Sequence, residues 1–337
     1  MVESTHVTTL DQFLTEVADH KGKVFRGQST DYPTVTPSLF RRREPLDLAP
    51  LLKAADDLYI KAHKVVEEMM RIRKNDDYYS RPLSDYEEDA EDLPRGWLGR
   101  LSAWFGKKLL PTLHRRDRDS DELDLFNLPV GSGMGSEESY SPLFGEVWAR
   151  SPSEGSRMAL LQHYGAPSGT LDVSFDRYVA LWFACHIYMT NGAYASYRKN
   201  DKPGVVYVMD VPDDLVIDLR RGETFTFNEG PKTIPIGGLR GWRQHGGLVF
   251  ATAEEPDLIR YVIKKIIVAP GLFDQYDDRL KLFTQQRLFP GVHDDGFYGA
   301  LLDARHDPHE PTRRLVSFFP SYVTEEEYSR LPPRPAN

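Results

Sequence analysis

Cysteine is almost missing: Cys185 is the only one in 337 residues, so no internal disulfide can form and a cysteine-based zinc site is excluded. An excess of positive charge is missing too, since 42 Lys and Arg stand against 51 Asp and Glu for a formal net charge of −9. Binding along a nucleic-acid backbone draws on clustered cations that release counterions, so this balance argues against an extended nucleic-acid surface. The local run Arg41-Arg42-Arg43 still leaves room for a small phosphate-bearing ligand. No stretch approaches the roughly 20 apolar residues of a spanning helix, and MVESTHVTTLDQF at the start has neither the basic nor the apolar region of a signal peptide. These absences lead us to expect a cytoplasmic protein with no membrane partner. Neither an internal repeat, a P-loop, an HExxH helix nor a GxSxG elbow is found.

What is present is the composition of a folded chain, 40% hydrophobic and 28% charged, long enough for one large domain or two modest ones. Leu10, Phe13, Leu14 and Val17 recur at helical spacing behind the caps Thr9 or Asp11, and Lys23–Gln28 reads as a short strand. From Leu48 to Ile72 the apolar residues keep a 3.6 period, which predicts one long amphipathic helix. Residues 73–140 break the pattern with acidic and polar runs around a small apolar patch, and read as an insertion or lid, partly disordered. Beyond it, Arg157–Tyr164 reads as helical and stops at Gly165, a suitable left-handed terminator. A turn at Pro167–Gly169 leads into Thr170–Ser174, and Tyr178–Ile187 reads as a strongly apolar helix capped by Asp176 or Ser174. Strands are expected at Gly204–Val211, Leu248–Thr252 and Ile263–Val268, and a polar, proline-rich tail from Pro320 is expected to trail over the surface. Strands and helices do not alternate regularly, so the expected class is α+β rather than a doubly wound sheet. The resulting division is 1–72 and 141–320 for the main domain, 73–140 for the insertion and 321–337 for the tail.

Three polar segments stand out. In Phe25-Arg26-Gly27-Gln28, strand alternation sends Phe25 and Arg26 to opposite faces, and Gly27 permits a close approach. In Gln162-His163-Tyr164-Gly165-Ala166-Pro167, continuing to Asp172-Val173-Ser174, several polar groups crowd beside a buried helix, where each needs a partner. Ser174 would lie at that helix's N-terminus, where backbone N–H groups favour anions. The third is Gly241-Trp242-Arg243-Gln244-His245-Gly246-Gly247, read as a flexible loop that delivers Gln244 or His245. Taken singly, each residue is as well explained by a salt bridge, a cap or a hairpin; the clustering is what points to a site.

These segments carry a resemblance. FRGQ at 25–28, PSLFR at 37–41, QHYGAP at 162–167, LDVSFDRYVALWFA at 171–184, Gln244-His245-Gly246 and LFPGVHDDG at 288–296 follow, in order, the pattern of the FRG domain family. Ser168-Gly169, Val173 and the extra Gly247 depart from it. The order of features is also similar to that of ADP-ribosyltransferases, with Arg26-Gly27 on a first strand, Val173-Ser174 leading into Ala180–Ala184, and the loop at 244–247. That resemblance implies small mixed or antiparallel sheets with flanking helices, and NAD as substrate with no metal. Arg26, His163, Asp172, Ser174 and Gln244 would be catalytic, and Arg26, Gln28, Tyr164 and Ser174 would hold the nucleotide, Tyr164 by stacking. A glutamate is not found at the loop, so Glu254, Glu255 or Asp172 would have to supply the negative charge. The expected activity is NAD-dependent ADP-ribosyl transfer or NAD cleavage, as a toxin or phage-defence effector acting on a protein acceptor or with a cognate partner protein. The alternatives are a non-catalytic nucleotide-sensing or protein-interaction module, and a hydrolase using His163 and Asp172 as acid and base.

Overall fold

The computed structural model describes residues 2–72 and 157–331, apart from 21, 42–45, 158, 192, 221, 228–229, 236–237, 252–254 and 275–277. The insertion expected at 73–140 lies outside the described residues, and the described residues on either side of it belong to one unit. The strands are β1 (Glu3–Val7), β2 (Val24–Gln28), β3 (Thr170–Ser174), β4 (His186–Asn191), β5 (Tyr194–Lys199), β6 (Gly204–Met209), β7 (Val216–Asp218), β8 (Gly222–Phe227), β9 (Gly230–Pro235), β10 (Gly246–Phe250), β11 (Val262–Val268) and β12 (Ser321–Tyr322). The main sheet has the order β1-β11-β6-β2-β3-β10-β7; β12-β5-β4 form a second sheet and β8-β9 a third. Within the main sheet β1 runs parallel to β11 and the other pairs are antiparallel. The architecture is mixed α+β with open sheets and several helices.

Both faces of the main sheet are covered, which is why β6 reads as an uninterrupted apolar run. Val206 and Val208 pack on one side with Phe25, Ala180, Leu181 and Ala184; Val205, Tyr207 and Met209 pack on the other with Val24, Leu171 and Val173. The Arg177–Ala184 helix lies so close to the sheet that a Cβ on Gly27 would stand 1.8 Å from the Ala180 carbonyl oxygen, and one on Gly204 would stand 2.0 Å from that of Ala184. The Leu48–Ile72 helix buries Leu51, Ala55, Leu58, Ala62 and Val66 against the Gly296–Asp303 and Glu310–Val316 helices. Full burial of each such leucine contributes about 2 kcal/mol. The Leu10–Val17 helix opens on a capping box made by Thr9 and Gln12.

Several expectations are corrected. The apolar helix ends at Ala184, not Ile187, because the following His186–Asn191 pairs with β5 as a strand. The glycine-rich 241–247 stretch is no flexible loop: Leu239–Arg243 is helical, Gln244 ends it, His245 turns with φ 45°, and Gly246 already begins β10. The chain after Pro320 does not trail over the surface up to residue 331. Ser321 and Tyr322 pair in parallel with β5, and Thr324 and Glu327 form a capping box on the Glu325–Ser329 helix. Among the described residues no helix is long and apolar enough to cross a membrane.

Candidate functional site

Register brings the three polar segments together. Ser174 at the end of β3 lies opposite Phe25 of β2 on one side and Gly246 of β10 on the other. That is the one position at which β2 and β3 pair, whereas β2 pairs with β6 along its full length, from Val24 to Gln28. The two strands diverge from Ser174, and a hollow of about 400 Å³ opens between them. Arg26, Gln28, His163, Asp172, Ser174 and Gln244 all line it. Its volume falls in the range of small-molecule sites, about 300–1,000 Å³.

His163 and Gln244 are buried, and their hydrogen bonds define a tautomer. The Gln244 amide nitrogen donates to the Leu288 carbonyl at 3.0 Å, so its oxygen is the atom that faces His163 Nδ1 at 3.3 Å. An amide oxygen only accepts; Nδ1 therefore carries the proton and Nε2 bears a lone pair. Burial pushes the imidazole down from its ordinary value; Asp172 and Gln244 oppose this, while Arg240 and Arg26 add to it. The ring is neutral near pH 7. Its Nε2 stands 3.5 Å from Asp172 Oδ1, and neither atom has a hydrogen-bond partner among the described residues.

Arg26 reaches across the split between β2 and β3 to donate from Nη1 to the Asp172 backbone carbonyl at 2.7 Å. Its Nε has no hydrogen-bond partner among the described residues. Burial lowers its proton affinity, Asp172 restores some of it and Arg41 lowers it further. A guanidinium remains charged through such shifts, so the hollow holds a cation that no carboxylate pairs directly among the described residues. Gln28 places a further acceptor, Oε1, without a partner among the described residues, in the same lining.

Two residues named from the sequence do other work. Tyr164 does not face the hollow. Three-residue turns in Leu161–Tyr164 turn it away from His163 and into the core, where its hydroxyl donates to Asp295 Oδ2 at 2.5 Å. It cannot stack on a ligand there. Ser174 lines the hollow, but its hydroxyl donates to the Gln244 carbonyl at 2.8 Å and accepts from the Asp176 N–H at 3.0 Å. Its proton is committed to fixing the Gln244 turn on β3. The helix cap is Asp176, whose carboxylate accepts from the Tyr178 N–H at 2.7 Å and already occupies that N-terminus. Of the alternatives for negative charge, Asp172 lies in the hollow, Glu255 pairs with Arg260 away from it, and Glu254 lies outside the described residues.

Sequence reasoning missed the aromatic wall and the layer behind it. Phe183, His186, Tyr188, Tyr197, Phe289 and Tyr322 complete the lining. Tyr197 and Phe289 stack at 4.8 Å between centroids, as do Phe289 and Tyr322. Behind them Arg240 is wholly buried, with its Cζ 4.4 Å from the Tyr322 ring centroid and 4.5 Å from those of Tyr164 and Tyr298. Burial opposes its charge, but Tyr322, Tyr298, Tyr164 and Asp295 more than offset this and raise its proton affinity. Its Nη1 donates to the His163 carbonyl at 3.0 Å, which holds the His163 turn from below. Nothing in Gly238-Leu239-Arg240-Gly241 distinguishes that arginine from a surface one. Among the described residues, no three His, Cys, Asp or Glu side chains are grouped as metal ligands would be.

A family model of the FRG domain matches residues 102–191. The match spans Gln162–Pro167, β3 and the Arg177–Ala184 helix, which bear the His163–Asp172 side of the hollow, and supports the FRG family for this chain. Arg26 and Gln244 lie outside the matched residues. No curated protein and no solved structure matches the chain.

Proposed function

We propose that the hollow of this FRG-similar chain binds the nicotinamide ribosyl-phosphate part of NAD and cleaves its N-glycosidic bond, passing ADP-ribose to a protein acceptor or to water. The observation that carries the reading is a guanidinium, Arg26, with no carboxylate ion pair among the described residues, which holds the Asp172 backbone carbonyl and shares with the Asp172 side chain one hollow walled by aromatic rings. Arg26, with Arg41 at the same lining, is suited to a pyrophosphate through charge-assisted hydrogen bonds. The stacked Tyr197, Phe289 and Tyr322 offer a face for a planar base in place of Tyr164. As the C1′–N bond breaks, its electron pair leaves with nicotinamide and positive charge develops on the ribose. Asp172 is the carboxylate placed to stabilise that charge. An oxygen nucleophile then bonds to C1′ and its proton passes to water. Gln244 is a positioning residue, holding His163 in one tautomer. An ADP-ribosyltransferase-like arrangement of Arg26-Gly27, Val173-Ser174 with Ala180–Ala184, and the Gln244 turn accords with this chemistry. Loss of NAD or modification of a host protein would make the chain an effector in toxicity or antiphage defence.

Purified protein incubated with NAD is expected to release nicotinamide, and Arg26→Ala and Asp172→Asn are each expected to lower the rate at least 100-fold. If NAD or ADP-ribose raises the melting temperature without nicotinamide release, the site is a sensor instead. If neither ligand has any effect, the nucleotide reading is wrong.

A further inference from the structure

The hollow between β2 and β3 holds two buried hydrogen-bond acceptors that face each other. The Gln244 amide, oriented by the Leu288 carbonyl, puts the His163 proton on Nδ1. Nε2 is left with its lone pair 3.5 Å from Asp172 Oδ1, and both atoms are buried without a partner among the described residues. Buried polar atoms are nearly always satisfied, and two neighbouring acceptors can be satisfied only by donors brought from outside. Protonating the imidazole would supply one donor, but the groups that face it oppose this on balance: burial, Arg240 beneath and Arg26 beside it outweigh Asp172 and Gln244. Donors from outside the chain, from water or from a ligand that displaces it, satisfy both atoms. Residue 172 also fixes where they stand relative to charge, since its backbone carbonyl is held by Arg26 while its carboxylate faces His163.

We infer that His163 Nε2 and Asp172 Oδ1 together bind two adjacent hydroxyl groups of a sugar whose phosphate is held by Arg26, so that the hollow selects ribosyl phosphates over their 2-deoxy counterparts. This deepens the NAD reading by naming the ligand part and the residues that discriminate it, and it rests on that reading only for the identity of the larger ligand. One hydroxyl donates to each acceptor. Removing one hydroxyl leaves one buried acceptor unpaired, and such a loss is felt more strongly than the loss of a hydrogen bond to water. Gln244 acts through His163: it fixes the tautomer that makes Nε2 an acceptor.

The test compares ribose 5-phosphate with 2-deoxyribose 5-phosphate by calorimetry on the full chain, with the ¹⁵N resonances of His163 read in parallel. The free protein is expected to show the Nδ1–H tautomer. Ribose 5-phosphate is expected to bind and to shift Nε2, and 2-deoxyribose 5-phosphate to bind roughly ten-fold more weakly or worse. In Asp172→Asn the new amide N–H can donate to His163 Nε2, so this variant is expected to fold at least as stably as the wild type and to lose the preference between the two sugars. Equal binding of both sugars, no binding of either at millimolar concentration, an Nε2–H tautomer, or a preference that survives in Asp172→Asn would each overturn the inference. Sugar discrimination without nicotinamide release would leave the inference standing and remove the turnover reading. Release without discrimination would do the reverse.

Discussion

At the scale of single residues, the hydroxyl of Ser174 shows how a group that reads as reactive serves structure. Its donor and acceptor capacity joins β3 to the Gln244 turn and to the Asp176 N–H. Ser174→Ala is therefore expected to lower stability by about 1–3 kcal/mol in urea unfolding, because it leaves a carbonyl and an N–H short of a partner. His63 tests burial in the long helix. It stacks on Tyr59 at 5.5 Å, and burial, reinforced by Arg157, pushes its pKa from 6.5 down to about 4. Between those values the unfolded chain binds a proton that the folded chain refuses, so stability is full above the upper value and falls as acid is added. The loss reaches roughly 3 kcal/mol at the lower one. His163 shifts in the same direction. His63→Phe, which keeps a ring on Tyr59, is expected to flatten the pH dependence of the unfolding free energy by about one proton in this window; an unchanged slope would show that His63 is not buried as described.

At the scale of elements, what could be read from the sequence was set by how strongly one period dominated. The Leu48–Ile72 helix was legible because its buried positions recur every three to four residues from Leu51 to Met69. β2, β6 and β11 were legible because β-branched or aromatic runs sit beside turn residues. β4 was not: His186 to Asn191 continue the apolar run of the preceding helix, and only pairing with β5 makes a strand of them. β1 was missed for the opposite reason, since it carries polar residues at an edge and owes its form to parallel pairing with β11. The glycine of Phe25-Arg26-Gly27 has a structural reason that sequence could only hint at. The Arg177–Ala184 helix crosses directly over it, and Gly27→Ala would drive a Cβ into the Ala180 carbonyl. That substitution is expected to lower the melting temperature by about 5 °C or more, or to prevent soluble expression, since each kcal/mol moves the midpoint of a chain this size by about 2–4 °C.

At the scale of the whole molecule, the hollow exists because segments far apart in sequence meet where the main sheet splits. Of the residues named from the sequence, Arg26, Gln28, His163, Asp172, Ser174 and Gln244 share that lining, and Tyr164 stands behind it. The polar half of the site was legible because charged and amide side chains beside buried elements demand an account. The aromatic half was not, because Tyr197, Phe289 and Tyr322 look like any core residues until β12 returns the chain to β5. Arg240 links the halves: it sits among the rings of Tyr164, Tyr298 and Tyr322 and holds the His163 carbonyl. The most direct test of the account is a crystal structure of the protein with ADP-ribose. It should place a phosphate on Arg26 and two adjacent hydroxyls of the terminal ribose on His163 Nε2 and Asp172 Oδ1, one on each. Ordered ADP-ribose bound elsewhere, with the hollow between β2 and β3 filled only by water, would contradict it.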